Sequence, residues 1–255
     1  MPIDVSFNPD LTRASLVFAE QPGNIITADL VAQMRAVLED LLDSPHLRLV
    51  TLEGGGADFS FGASVPEHTA EEIRRVLPDM HALIRELVAL PVATAAIVRG
   101  RCLGGGFELA LACDFIFASE TATFGLPEIA LGVFPPAGSV LLPVRVGAAR
   151  ATEAILGGLS KPAGEWRDAG LVAFTAPAAG LGEAVDAWFS RSLARYSAES
   201  LRHALRAARA SVVAAVECDL AEAERLYLSD LMVTHDANEG VRAFLDKRPP
   251  RWKDE

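Results

Sequence analysis

Two glutamates and two glycine-rich turns are the residues whose types and spacing can do chemistry. Glu108 stands in Gly100–Asp114 (GRCLGGGFELALACD), two residues after three consecutive glycines and inside an apolar run. Glu128 stands in Ala122–Gly132 (ATFGLPEIALG), between Pro127 and Ile129. A carboxylate in an apolar setting is costly unless it is paired or used. Two that face one pocket can divide acid and base work when their surroundings separate their proton affinities. Taken singly, each acid reads equally well as a salt-bridged core residue. The three glycines sit at a strand-to-helix turn, where the first amide N–H groups of the helix lack intrahelical partners and lie at the positive end of its dipole. Such N–H groups can hold developing negative charge. Tight helix–strand packing is the alternative reading of the same glycines. The loop Gly54–His68 (GGGADFSFGASVPEH) offers a second donor at Gly62-Ala63-Ser64, and Phe59 and Phe61 are poor choices for a solvated loop.

Named phosphate motifs fail. A P-loop needs Lys followed by Ser or Thr after its last glycine, whereas Gly106 is followed by Phe107 and Glu108. The dinucleotide fingerprint is not matched, and an acid at Glu108 would repel a pyrophosphate.

The elements that must position these groups follow from periodicity. Ala14–Ala19 and Leu47–Leu52 read as strands flanking a helix capped by Thr27, with Leu30, Met34, Val37, Leu38, Leu41 and Leu42 at helical spacing. That βαβ unit implies a parallel sheet. A second helix carries Ile73, Val76, Leu77, Met80, Leu83, Ile84 and Leu87, with Pro78 expected to kink or break it. Val92–Arg99 is a buried strand, Phe107–Cys113 the central helix and Phe115–Ser119 a further strand. Val133–Gly138 (VFPPAG) reads as a rigid turn, Gly147–Gly157 and Ala163–Gly170 as helices, and Leu171–Phe174 as a strand. From Gly182 strand signals stop, and helices are expected over 183–196, 198–214, 215–232 and 236–246. The chain therefore reads as an α/β unit over residues 1–181 and an all-helical region over 182–255 suited to oligomer contacts.

Composition narrows the function. The 255 residues carry a net charge of −11, which argues against a nucleic-acid partner. Three cysteines, Cys102, Cys113 and Cys218, have apolar neighbours and no metal spacing, and read as buried thiols of a reducing compartment. The histidines lack metal spacing as well. His68 reads as an exposed loop residue sooner than a pocket residue, and Arg202, Arg206 and Arg209 as a solvated or subunit-facing stripe. No apolar run reaches membrane-span length, and MPIDVSFNPD lacks the pattern of a signal peptide, so a cytoplasmic location is expected.

The segments FSFGAS, LGGGFELALACD, FGLPEIALGVFP, DAGLV and EGVRAFLDKRPP occur in one order along the chain. In them the sequence resembles the crotonase, or enoyl-CoA hydratase/isomerase, superfamily. The resemblance implies an α/β crotonase-like spiral of ββα units, with the helical C-terminal region used for trimerisation and trimers often paired into hexamers. It implies an acyl-CoA thioester substrate with no metal and no other cofactor. It makes the backbone N–H groups of Ala63 and Gly105 an oxyanion hole, and Glu108 and Glu128 the groups that act on water and protons. It places Phe61, Gly62, Ser64, Val65, Gly104 and Phe134 around the substrate, and Phe244 and Lys247 near the CoA adenine and phosphates. Two departures stand out: Pro66 occupies a usual lysine position, and Pro135-Pro136-Ala137-Gly138-Ser139 replaces a more glycine-rich turn. With GVFPPAGSVLLP and the tail LYLSDLMVTHDANEGVRAFLDKR, the loop is most similar to one subgroup, the cyclohexa-1,5-diene-1-carbonyl-CoA hydratases of anaerobic benzoyl-CoA degradation. A general enoyl-CoA hydratase or isomerase and a non-catalytic acyl-CoA binder are the alternatives.

Overall fold

In the strand β2 (Arg13–Phe18) half-buried and buried residues alternate. It pairs antiparallel with β1 (Ile3–Phe7), which the sequence pattern does not mark, and parallel with β3 (Leu49–Gly54). The computed structural model describes residues 3–255, so Met1 and Pro2 of the N-terminal stretch lie outside it. Between β2 and β3 runs α1 (Ala28–Leu41), whose cap Thr27 Oγ1 accepts a hydrogen bond from Leu30 N at 3.2 Å. The predicted βαβ unit is present.

Three turns of chain then repeat one plan. After β3, Ser60 bridges to Cys102 and the chain enters α2 (Ile73–Ala89). After β4 (Ala93–Val98), the short β5 (Arg101–Leu103) leads into α3 (Gly105–Ala112). After β6 (Phe115–Ser119), β7 (Thr123–Gly125) leads through a 3₁₀ turn at Pro127–Leu131 into α4 (Pro136–Val146). Each of the last two turns gives one strand to a six-stranded sheet and one to a three-stranded sheet. The stacking of these strand–strand–helix turns is the spiral. α5 (Ala148–Gly157), β8 (Lys161–Pro162), α6 (Ala163–Asp168) and β9 (Phe174–Ala176) complete this part; β9 joins β6 at the edge of the larger sheet, three residues later than the pattern suggests.

Of the two outcomes expected at Pro78, a break does not occur: α2 runs through it. The stretch read as a rigid turn up to Gly138 already contains the start of α4: Pro136 occupies its first position, where a missing N–H is no loss.

The helices after residue 182 lie against both sides of the core. α7 (Leu181–Phe189) packs Leu181, Val185 and Phe189 on Leu49, Ile97 and Phe117 of the large sheet. α8 (Ala198–Ala208) comes next, and α9 (Ala210–Arg225) sends Val216 and Leu220 into the main core on the other side. A π-helical turn, Leu226–Leu231, separates α9 from α10 (His235–Leu245). The boundary between α8 and α9 falls at Arg209, not near residue 214, and Arg209 is buried, not part of a solvated stripe. Its guanidinium donates to Val88 O and Val92 O at 3.0 Å, to Leu90 O, and to both carboxylate oxygens of Asp114 at 2.6 Å. Asp114 also accepts from Thr94 N at 2.7 Å. This fork ties the α8–α9 corner to the end of α2 and the start of β4. Replacing Arg209 by Met leaves Asp114 without its partner in a desolvated site, and is expected to cost about 3–5 kcal/mol of unfolding free energy in a urea titration. A loss of less than about 1 kcal/mol would show the fork to be dispensable. Cys102 and Cys113 are buried as expected, but Cys218 is exposed on α9.

Candidate active site

The loop at residues 59–64 is strung out by hydrogen bonds that leave one donor over. Ser60 N donates to Arg101 O (3.0 Å), Phe61 N to Gly23 O (2.8 Å), Gly62 N to Ser60 Oγ (3.0 Å) and Ser64 N to Ile26 O (3.0 Å). Ala63 N–H has no partner among the described residues. Ala63 is half-buried, and an unclaimed N–H in a loop whose other donors are all paired is informative. The facing loop repeats the pattern. Leu103 N donates to Ser60 O and Gly104 N to Gly125 O, both at 2.9 Å, while Gly105 N–H opens α3 unpartnered.

Each of the three glycines has its own reason. Gly104 has φ +50°, and a Cβ on it would lie 2.8 Å from Glu128 Oε1. A Cβ on Gly105 would lie 3.3 Å from both N and Cβ of Ala63, and one on Gly106 only 2.6 Å from Cβ of Ser60. The two loops therefore touch, and Ala63 N and Gly105 N belong to one place.

Glu108 is buried in α3, and its Oε1 accepts from Gly138 N at 2.8 Å in the first turn of α4. Burial raises its pKa above the ordinary carboxylate range, and the N–H groups of Gly138 and Ala137 oppose that rise. Glu128 is half-buried as a residue, but its Oε2 is shielded from solvent and unpartnered among the described residues. Burial raises its pKa, and the nearby Glu108 raises it further. The pair is unequal: one carboxyl rests on a helix N-terminus that favours the anion, and the other has an uncompensated oxygen.

This inequality has a stability consequence. Between pH 4.5 and its raised pKa the folded protein keeps a proton on Glu128 that the unfolded chain releases. Stability therefore falls as pH rises through that window. Glu128→Gln is expected to melt above the parent at mildly alkaline pH, with the gap closing toward pH 4.5. A gap that is the same at both pH values would contradict the assignment.

Both carboxyls, Gly62, Ala63, Gly104 and Gly105 line one cavity of about 110 Å³. Phe61, Val65 and Phe134 line it too, with apolar walls from Ile26, Val76, Leu77 and Met80. The Phe61 ring lies over Gly23, with the Arg101 guanidinium 3.9 Å from its centroid. Ser64 supports the loop instead: its N–H binds Ile26 O and its carbonyl lies 2.8 Å from His68 Nδ1. His68 is itself half-buried on the cavity, not an exposed loop residue, and burial lowers its pKa. Phe59 and Phe107 are core residues. Phe244 and Lys247 lie outside the cavity, exposed at the end of α10. Periodicity does not reveal two participants. The first turn of α4 supplies the N–H groups under Glu108. Tyr227, on the π-helical turn, is buried against the cavity. Its signal in sequence is slight: one of two tyrosines in the chain, set between two leucines in LYLSDL.

A family model for enoyl-CoA hydratase/isomerase matches residues 16–255. The chain belongs to the enoyl-CoA hydratase/isomerase family. It is 43% identical over 254 residues to the cyclohexa-1,5-dienecarbonyl-CoA hydratase of Thauera aromatica, covering 99% of this chain and 97% of that protein. It is 34% identical over 245 residues to the 2,3-dehydroadipyl-CoA hydratase of Escherichia coli, covering 94% of this chain and 95% of that protein. Among solved structures, an enoyl-CoA hydratase from Mycobacterium avium subsp. paratuberculosis superposes with a TM-score of 0.87 at 28% identity, covering 100% of this chain and 99% of that one. As a member of the enoyl-CoA hydratase/isomerase family, the chain is an enzyme of the hydro-lyase kind.

Proposed function

We propose that this hydratase adds water to a conjugated cyclic dienoyl-CoA thioester, converting cyclohexa-1,5-diene-1-carbonyl-CoA to 6-hydroxycyclohex-1-ene-1-carbonyl-CoA in anaerobic benzoyl-CoA degradation. The observation that carries the chemistry is the meeting of two unclaimed N–H donors and two unequal carboxyls on one cavity. Ala63 N–H and Gly105 N–H receive the thioester oxygen as it gains enolate charge, an interaction worth about 3–4 kcal/mol per donor in comparable sites. With one proton shared by the pair, the proton rests on Glu128, and Glu108, held as an anion by α4, is the base. Glu108 takes a proton from water as the oxygen bonds to the β-carbon of the ring. The electrons of the double bond move into a dienolate held by the two N–H groups. Glu128 then delivers its proton to the far end of the diene, and the proton on Glu108 returns to it through solvent or the product. The net change is one water added. No oxidation state is exchanged with a partner, so coenzyme A enters only as part of the substrate.

The ring is favoured over a straight chain by the greater identity to the Thauera aromatica protein and by the apolar enclosure around the carboxyls. Absorbance of the dienoyl thioester, followed with crotonyl-CoA in parallel, is the test. Loss of the dienoyl band with slow or no change for crotonyl-CoA supports the ring. Faster crotonyl-CoA hydration favours a general enoyl-CoA hydratase, and tight binding with unchanged spectra a non-catalytic binder. We also propose trimers, or trimers paired into hexamers; exposed Leu156, Leu159 and Val233 supply apolar surface for such contacts, and light scattering after size exclusion measures the mass. We propose a cytoplasmic location; among the described residues no helix is long and apolar enough to cross a membrane.

A further inference from the structure

Four polar side chains line the cavity among the described residues: His68, Glu108, Glu128 and Tyr227. The first three belong to the spiral core. Tyr227 is the one that the helices after residue 182 bring back to it. Only 2% of its surface is exposed, whereas its neighbour Leu226 is 44% exposed. The turn that carries it is wound as a π-helix, with Met232 N donating to Tyr227 O at 2.9 Å, five residues back. A π turn inserts one residue into the helical register and re-aims the side chains beyond it, and such turns recur at functional sites. The ring is locked: it meets Phe134 edge-on with centroids 5.5 Å apart and packs with Ile73, Leu77 and Val133.

The hydroxyl is different. It makes no hydrogen bond to protein among the described residues, and unlike Glu128 Oε2 it is not shut off from solvent: Tyr227 lines the cavity. A Tyr whose ring is buried usually turns its O–H toward a polar partner. Here the ring is fixed so that the O–H sits on the same cavity as two carboxyls. Burial and both carboxyls raise the Tyr227 pKa, so the phenol keeps its proton and acts as a donor at neutral pH. The carboxyls can take protons from a water molecule but give it at most one. An oxygen placed among the three groups has its lone pair met by the phenol.

We infer that Tyr227 orients the oxygen that is added to the substrate: its O–H donates to the attacking water, and afterwards to the hydroxyl of the product, while its ring bounds the acyl end of the cavity. This rests on the hydratase reading above and extends it to a residue outside the spiral core. The ligand group recognised is a hydroxyl on the acyl portion, whatever the remainder of the chain or ring. The helical region thus takes part in chemistry as well as in packing.

The test compares two ligands on two proteins. Tyr227→Phe keeps the ring and deletes the O–H. Its affinity for 6-hydroxycyclohex-1-ene-1-carbonyl-CoA is expected to fall about tenfold, while its affinity for cyclohexanecarbonyl-CoA, which lacks the hydroxyl, is unchanged. Turnover of the dienoyl-CoA falls with little change in KM, and the melting temperature stays at the parent value. An affinity for the hydroxylated ligand that is the same in variant and parent, with unchanged turnover, would overturn the inference and leave Tyr227 a packing residue. Should the variant fail to fold, the parent protein labelled with 3-fluorotyrosine decides. It has two tyrosines, and the Tyr227 resonance must shift more with the hydroxylated ligand than with the other. If the parent hydrates neither dienoyl-CoA nor crotonyl-CoA, the hydratase reading fails. The two-ligand comparison still reports whether Tyr227 reads a hydroxyl.

Discussion

Glu128→Gln is expected to lower the maximal hydration rate by about a thousandfold, and Glu108→Gln by a similar factor, with KM changed far less. Each substitution keeps the shape of the side chain and deletes a different step. Without a carboxyl at 128, the group that protonates the far end of the diene is gone. Without one at 108, water has no base poised on the first turn of α4, where Gly138 N–H holds Oε1 at 2.8 Å. Because the two act as one unit, the double variant should be scarcely slower than either single one. The parent should show a bell-shaped pH dependence, active while the pair holds one proton. Rate is lost on the acid side as the second carboxyl protonates, and on the alkaline side as the shared proton leaves. Burial raises both proton affinities, so the alkaline limb lies well above the range of an ordinary carboxyl. Near-parental rates in both single variants would remove the acids from the mechanism.

The parts of this site that were legible in the sequence share a cause. Glu108 could be found because an acid in an apolar helix after three glycines violates the local pattern, and such violations collect at functional sites. Glu128 stood out in the same way. The central helix and the βαβ unit were legible because their buried faces are regular. What the pattern hid are places where local rules and tertiary context disagree. α4 begins in Pro-Pro-Ala-Gly-Ser, a run rich in turn residues, yet Pro136 is compatible with a helix start and Leu141 and Leu142 are fully buried. The helix is made by what covers it. Arg209 lies three residues after Arg206 and reads as one more charge on an exposed stripe, but the carbonyls at the end of α2 and Asp114 of another element claim it. No spacing along α8 encodes that. Tyr227 escapes for a third reason. A π turn breaks the 3.6-residue period, so a face drawn along α9 points the wrong way after residue 225. The donors themselves are backbone atoms. Ala63 N–H is conspicuous only once every neighbouring N–H has been assigned a partner, and that accounting needs coordinates.

A backbone donor cannot be deleted by trimming a side chain, but proline removes the hydrogen outright, and Gly105 is the position at which to do it. Gly105 is the first residue of α3, the one helical position where proline's fixed φ and missing N–H are tolerated. Gly105→Pro is therefore expected to fold, and to lose about 10²–10³ in maximal rate because one of the two hydrogens that receive the thioester oxygen is gone. The added carbons need their own control. A Cβ at this position lies 3.3 Å from N and Cβ of Ala63 on the facing loop, closer than most such contacts. Gly105→Ala introduces that Cβ and keeps the N–H, so its smaller loss measures crowding alone. The ratio of the two variants reports the hydrogen bond. The same pair should separate in binding as well: the affinity of a saturated acyl-CoA, whose carbonyl carries little charge, should change less than the rate does, because the donors act mainly on the enolate. Equal rates in the proline and alanine variants would mean that the Gly105 hydrogen does not face the reacting oxygen. The hole would then rest on Ala63 and some other donor, and the glycines would be needed only to bring two loops into contact.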